Sequence, residues 1–392
     1  MISQFLVKKI IKNSEDIQND FVRNKYGYLA GIIGIILNFL LFSLKFSVGI
    51  LTSSVAIMAD AFNNFSDMAS SIITIVGFKL SSIPPDKEHP FGHGRLEYIS
   101  ALIVAFMVML VGIQFIKSSF KRILNPVAIN FELTTFVLLL ISIFIKLWLS
   151  IFNKTIGNKI NSSALKATSV DALGDVITSS VVALSFLSSK FITFPIDGYA
   201  GIIVALAILY AGYSLIKETI SPLLGEAPDP ELVKKINKEV LSYENIQGVH
   251  DLVVHNYGIG RCMASIHAEI PANIDIVTIH DTIDNAEREI SDKLKIYLVI
   301  HMDPICIENE EINSIKIQVE SILQRYPIVK SMHDFRIIGH ENDKNLIFDI
   351  VINHQKSNKN MYEKELKESI SKSIKEINPK YKCTITIDKD FI

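Results

Sequence analysis

Cysteine and tryptophan are scarce in this 392-residue chain, at three and one. The cysteines Cys262, Cys306 and Cys383 are odd in number, lack CxxC spacing and all fall in the C-terminal half. This excludes a disulfide framework and a thiolate zinc site and leaves reduced, structural thiols as the expectation. Charge is also sparse. Asp, Glu, Lys and Arg make up 20% of residues against 49% hydrophobic, and the net charge is only −2. With its basic residues scattered, the chain has no electrostatic footprint for nucleic acid. A disordered chain is excluded by the apolar content, and a wholly soluble enzyme by a mean hydropathy of +0.33.

The average conceals a split. Residues 1–218 carry 18 basic and 13 acidic residues, whereas the remaining 174 carry 21 and 28. The first part reads as membrane, the second as a water-soluble module. Crossing a hydrocarbon core of roughly 30 Å takes about 20 apolar residues in a helix. Three clean runs, Tyr26–Leu44, Tyr98–Ile116 and Gly198–Ile216, meet that length. Three more are interrupted by ionisable residues: Ser53–Phe78 by Asp60 and Asp67, Leu133–Asn153 by Lys146, and Ser163–Leu187 by Lys166, Asp171 and Asp175. This predicts six helices. Short loops on the N-terminal side hold eleven Lys and Arg against four on the other side, which predicts a multi-pass protein of the cell membrane with both termini cytosolic. Residues 1–25 show no apolar run ahead of a small-residue cleavage site and are expected to stay uncleaved.

Past Pro222, Pro228 and Pro230 the pattern becomes short helices and alternating strands. Residues 231–304 read α-β-β-α-β, a small open sheet covered by helices on one face. The same order recurs over 311–388. GVHDLVVHNYG (248–258) aligns with SMHDFRIIGHE (331–341), placing His250-Asp251 on His333-Asp334 at an offset of 83. The expected organisation is a cytosolic segment (1–25), a transmembrane domain (26–218) and tandem α+β domains at 219–305 and 306–392.

An ionisable residue at the bilayer centre costs about 2.5–3.5 kcal/mol, so Asp67, Asp171 and Asp175 require a compensating partner. Two interrupted helices carry one spacing, Asn63-x-x-x-Asp67 and Asp171-x-x-x-Asp175. Residues i and i+4 project from one helix face about 6 Å apart, so facing pairs would set four oxygen-bearing groups around one point. Such a set without His or Cys suits Mn²⁺ better than Zn²⁺. The plainer alternative, Asn and Asp bonding each other across the bundle, leaves three carboxylates to repel one another. Asp60 stays outside this set. Lys45 and Lys146 read as residues near helix ends that snorkel to the interface, with no ligand role.

The segments SSVAIMADAFNNFSDMASS (53–71), HPFGHGRLEYIS (89–100), SALKATSVDALGDVITS (163–179) and IHMDP (300–304) resemble the cation diffusion facilitator family over about residues 20–304. The resemblance implies a homodimeric exporter of divalent metal, generally in exchange for protons, with six transmembrane helices and a cytosolic ferredoxin-like domain. It implies neither enzymatic activity nor a prosthetic group. Asn63 and Asp171 stand where zinc-transporting members typically place a His, and this departure resembles the manganese-exporting branch.

Asp86, His89 and His93, between helices two and three, match a loop metal site of some members; the alternative is a loop anchor in which Gly92 and Gly94 set the turn. His250, His267, His280, His301 and Asp303 coincide with positions that bind metal at the family's cytosolic dimer interface. The second copy keeps His333 and Asp388 but has Ile350 near the place of His267 and Thr386 at that of His301, so a metal-free copy is expected. Two readings from other classes compete with this one. A metal sensor without transport remains open, whereas an intramembrane aspartyl protease fails because Ala172 replaces the first Gly of its motif and no Tyr-Asp pair appears on another helix.

Overall fold

The computed structural model describes residues 7, 9–11, 13–17, 19–51, 55–124, 133–188, 196–258, 260–305, 310–339, 344–353 and 360–390. They form two compact units, Met1–Glu226 with Tyr257–Gly260, and Ala227–Asn256 with Arg261–Ile392.

The first unit contains six long helices: α1 (Asp20–Leu51), α2 (Val55–Ser81), α3 (Leu96–Leu124), α4 (Leu133–Lys159), α5 (Ser163–Ser188) and α6 (Ile196–Leu224). Five of them are long and apolar enough to cross a membrane. The remaining one, α2, has the length, but Asn63, Asn64, Ser66, Asp67, Ser70 and Ser71 occupy its middle and dilute its hydropathy. Helix α6 continues beyond the Gly198–Ile216 run and through Pro222 to Leu224, ahead of the stop expected at Pro228 and Pro230. Large apolar side chains such as Phe39, Leu40, Phe106, Leu110, Phe144, Ile203 and Leu206 stay exposed on the bundle, as expected where the surrounding solvent is lipid rather than water.

Small residues bring the helices together. Gly27 on α1 lies against the fully buried Phe78 on α2, and Gly201 on α6 against Ser119 on α3. At one end, Arg23 donates from Nη2 to Glu97 Oε1 and Oε2 (2.9 and 2.7 Å) and from Nε to the Ile160 carbonyl (3.2 Å). The Arg23 and Glu97 side chains are 8% and 3% exposed, so this pair joins α1, α3 and the end of α4 inside the protein.

The second unit holds two copies of one topology. The first comprises α7 (Pro230–Val240), β1 (Gly248–Asn256), β2 (Cys262–Pro271), α8 (Ile276–Leu294) and β3 (Ile296–Ile305). The second comprises α9 (Glu310–Leu323), β4 (Val329–Ile338), β5 (Asn345–Asn353), α10 (Asn360–Ile377) and β6 (Lys382–Asp390). Each sheet has its second strand central, antiparallel to the first and parallel to the third. Alternation explains the packing. Ala264, Ile266 and Ala268 of β2 turn inward on Ile283 and Ile290 of α8, as Leu346, Phe348 and Ile350 of β5 do on Ile370 and Ile374 of α10. Asp251 and Asp334 occupy the same irregularity in their copies, each with positive φ (50° and 49°) at a break in strand register. An Asp tolerates this left-handed backbone, and such a bulge re-aims its neighbours. Cys262 and Cys383 are free thiols, and burial pushes both thiol pKa values up; Cys306 lies outside the described residues.

Candidate metal centres

In the bundle, Asp67 of α2 and Asp175 of α5 converge on a single cation of the chain itself. Lys146 Nζ donates to Asp67 Oδ2 and to Asp175 Oδ2, both at 2.7 Å. The Lys146 side chain is 5% exposed. This corrects the snorkelling assignment: α4 runs on to Lys159, so Lys146 sits in mid-helix, where its ammonium finds carboxylates instead of an interface. Lys45 is buried as well, at 3%. The side chain of Asp60 lies outside the described residues.

Asn63, Asp67 and Asp175 line one cavity of about 620 Å³, together with Ser66, Gln114, Ser118, Thr135, Thr178 and Ser179. Ile57, Thr135, Ser118 and Val182 also border it, so it extends toward the end of the bundle where α2 and α4 begin and α3 and α5 finish. Asp171, the fourth residue of the expected quartet, is not among the lining residues. Three of the four thus share one cavity, and Asp171 lies one turn earlier on α5.

Outside the bundle helices, four groups of His and carboxylate residues among the described residues lie close enough to share an ion. In the loop after α2, Asp86 Oδ1 is 3.7 Å from His89 Nδ1, and Asp86 Oδ2 is 3.6 Å from His93 Nε2. The His89 and Glu88 backbone N–H groups donate to Asp86. The first of these, chiefly, holds the carboxyl below its usual range. His93 Nδ1 is buried without a hydrogen-bond partner. Both the metal site and the loop anchor expected from sequence draw on these same atoms.

In the first α/β copy, His250, His267 and His301 pair across the three strands. His267 Nδ1 lies 2.8 Å from Asp303 Oδ2, His250 Nε2 3.3 Å from the same oxygen, and His301 Nε2 3.5 Å from Asp303 Oδ1. Four of the five expected residues therefore meet on the sheet face away from the helices. His280 does not join them; it is exposed on α8.

The second copy departs from its sequence reading. Strand register sets Asp349, not Ile350, beside His333 and Thr386, in the place His267 holds between His250 and His301. The β4–β5 hairpin is one residue shorter than β1–β2, so a constant offset slips the alignment by one and exchanges the two faces of the strand. Ile350 is fully buried in the core instead. The copies meet here, with the His250 and His333 rings 4.2 Å apart. His250 and His333 hold the Asp251 carboxyl well below the usual range. Burial alone would lower the His333 pKa, but Asp251, Asp388 and Asp349 carry it above the ordinary value. Asp388 is pushed up by burial and then by Asp251 and Asp349.

Comparison with known proteins agrees with this division. Residues 31–224 match the cation efflux transmembrane domain, and residues 228–305 match the cation efflux protein cytoplasmic domain. The second copy lies beyond both matches. An uncharacterized transporter of Methanocaldococcus jannaschii is 32% identical over 250 residues, covering 64% of this chain and 88% of the relative. The manganese efflux system protein MneS of Bacillus subtilis is 27% identical over 284 residues (72% and 97%). Metal tolerance protein 2 of Oryza sativa subsp. japonica is 27% identical over 273 residues (63% and 70%).

Proposed function

The chain belongs to the cation efflux family, integral membrane transporters rather than enzymes, and we propose that it exports Mn²⁺ from the cytosol in exchange for protons, as a homodimer. One observation carries this reading: Asp67 and Asp175, from two helices, hold a common cationic group at the wall of a cavity shared with Asn63. Lys146 occupies the position a transported ion would take between the two carboxylates.

The donor set is oxygen only, which favours Mn²⁺ over softer ions, and the likeness to a manganese efflux protein supports the same choice. The homology to a cytoplasmic domain described as dimeric supports the homodimer. With both termini cytosolic, the cavity lies at the outer end, the side of release. Protons arriving from outside would compete for the carboxylates, and rocking of helix pairs would return them inward. The triad Asp86, His89 and His93 and the cluster His250, His267, His301 and Asp303, with His280 contributed across a dimer, are proposed as auxiliary sites.

The test is flux into proteoliposomes under a pH gradient, comparing Mn²⁺, Zn²⁺, Fe²⁺ and Co²⁺. Mn²⁺ should move fastest, Asp67→Ala and Asp175→Ala should abolish flux in folded protein, and Asn63→His should shift preference toward Zn²⁺. Flux retained in either Ala variant removes the site; a wild type that prefers Zn²⁺ removes the step from ligand hardness to substrate.

A further inference from the structure

The junction between the two α/β copies gathers donors that the transport reading does not use. His333 is buried, with its side chain 8% exposed, and its Nε2 makes no hydrogen bond. That nitrogen faces Asp388 Oδ2 at 3.3 Å and Asp251 Oδ2 at 3.5 Å. Asp388 Oδ2 is likewise buried without a donor. Asp349, paired with His333 across the sheet, completes the group: one ligand atom from each of Asp251, His333, Asp349 and Asp388 lies within 4.8 Å of the others. Ligand bonds near 2.0–2.2 Å place opposite donors of one ion about 4–4.4 Å apart, so these four need only small movements to share an ion.

We propose that Asp251 of the first copy and His333, Asp349 and Asp388 of the second form a divalent-metal site that clamps the two copies together. One imidazole with three carboxylates selects a first-row transition ion such as Mn²⁺ or Zn²⁺ over Mg²⁺ or Ca²⁺, which take oxygen donors alone. Three carboxylates gather around one buried, unbonded nitrogen. Carboxylates at this spacing repel unless a cation, metal ion or imidazolium, lies among them. The position is distinct from the cluster on Asp303. His250 stands between them, its Nδ1 3.2 Å from Asp251 and its Nε2 3.3 Å from Asp303. The copy expected from sequence to be metal-free thus supplies three of the four donors, and the residues involved extend past those matched to the cytoplasmic domain.

The experiment is equilibrium dialysis of the metal-free, full-length protein in detergent against Mn²⁺ and, separately, Zn²⁺, with bound metal counted per chain. Wild type is compared with His333→Ala, Asp388→Asn and His267→Ala. His333→Ala should lose one ion per chain, and Asp388→Asn, which keeps side-chain size, should weaken that ion by at least about tenfold. His267→Ala should retain it while losing binding at Asp303. Should both His333→Ala and Asp388→Asn keep wild-type stoichiometry and affinity, the group is a buried ion pair alone and the site is overturned. Loss of the same ion in all three variants would overturn it too, by merging it with the Asp303 cluster.

Discussion

Lys146 Nζ lies 2.7 Å from Asp67 Oδ2 and 2.7 Å from Asp175 Oδ2, so the chain carries its own cation at the proposed transport site. Removing one partner of a buried ion pair typically costs about 3–5 kcal/mol because the other charge stays uncompensated. Lys146→Met should therefore destabilise the metal-free protein in detergent by that order. Because the vacated carboxylates would welcome a divalent ion, Mn²⁺ should raise the Tm of the variant more than that of wild type. Equal shifts in the two proteins would show that the ammonium and the metal do not share a position.

Arg23 and Glu97 present the same physics at the end of the bundle. Glu97→Leu should lower stability by about 3–5 kcal/mol, since the guanidinium keeps the Ile160 carbonyl and the Phe78 ring but loses its carboxylate. The double variant Arg23→Met/Glu97→Leu should recover much of the loss, as both charges then leave together. Thermal unfolding of wild type, Arg23→Met, Glu97→Leu and the double variant closes one double-mutant cycle and gives the coupling directly, and additive losses would refute it.

Two helical glycines should respond with opposite sign. A Cβ on Gly27 would meet Phe78 ring carbons at 2.4–2.5 Å, whereas one on Gly174 meets nothing nearer than Ile208 at 3.9 Å. Overpacking makes Gly27→Ala cost about 1–3 kcal/mol. Gly174→Ala should be neutral or stabilising by up to about 1 kcal/mol through helix propensity, though it adjoins Asp175. Melting of the two purified variants decides both.

Asp275 caps α8, the helix bearing His280, by accepting from the Thr278 backbone N–H at 3.0 Å. That bond holds its carboxyl below the ordinary 3.8. A lowered folded pKa stabilises fully above the unfolded value and is lost as pH falls through the folded one. Protection of the Thr278 amide from hydrogen exchange should therefore drop in wild type relative to Asp275→Asn below about pH 4. A ratio constant through that range would place the cap elsewhere.

Much of this architecture was legible in the sequence for identifiable reasons. The i,i+4 pairs on α2 and α5 stood out because ionisable residues in apolar runs are costly, and Asp67 and Asp175 do converge. Lys146 reads as near a helix end because the uninterrupted apolar pattern stops at Asn153, whereas α4 continues to Lys159 and leaves the lysine far from either end. The repeat was legible through its paired His-Asp steps. Asp349 was missed because the hairpins differ by one residue, and a strand pattern of period two turns a one-residue slip into an exchange of faces. The meeting of His250 with His333 is a long-range event that no local pattern encodes.

Identical domains that meet across a two-fold axis must make every contact twice, residue i with j and j with i. Fusion of the two copies lifts that obligation. Asp251 lies 3.5 Å from His333, whereas its counterpart Asp334 accepts from Arg336 at 2.8 Å. A substitution at Asp334 or Arg336 consequently alters one side of the junction only, where in a pair of identical domains the same change would strike both. The duplicated domain is thereby free to specialise residue by residue while its partner keeps its own surface.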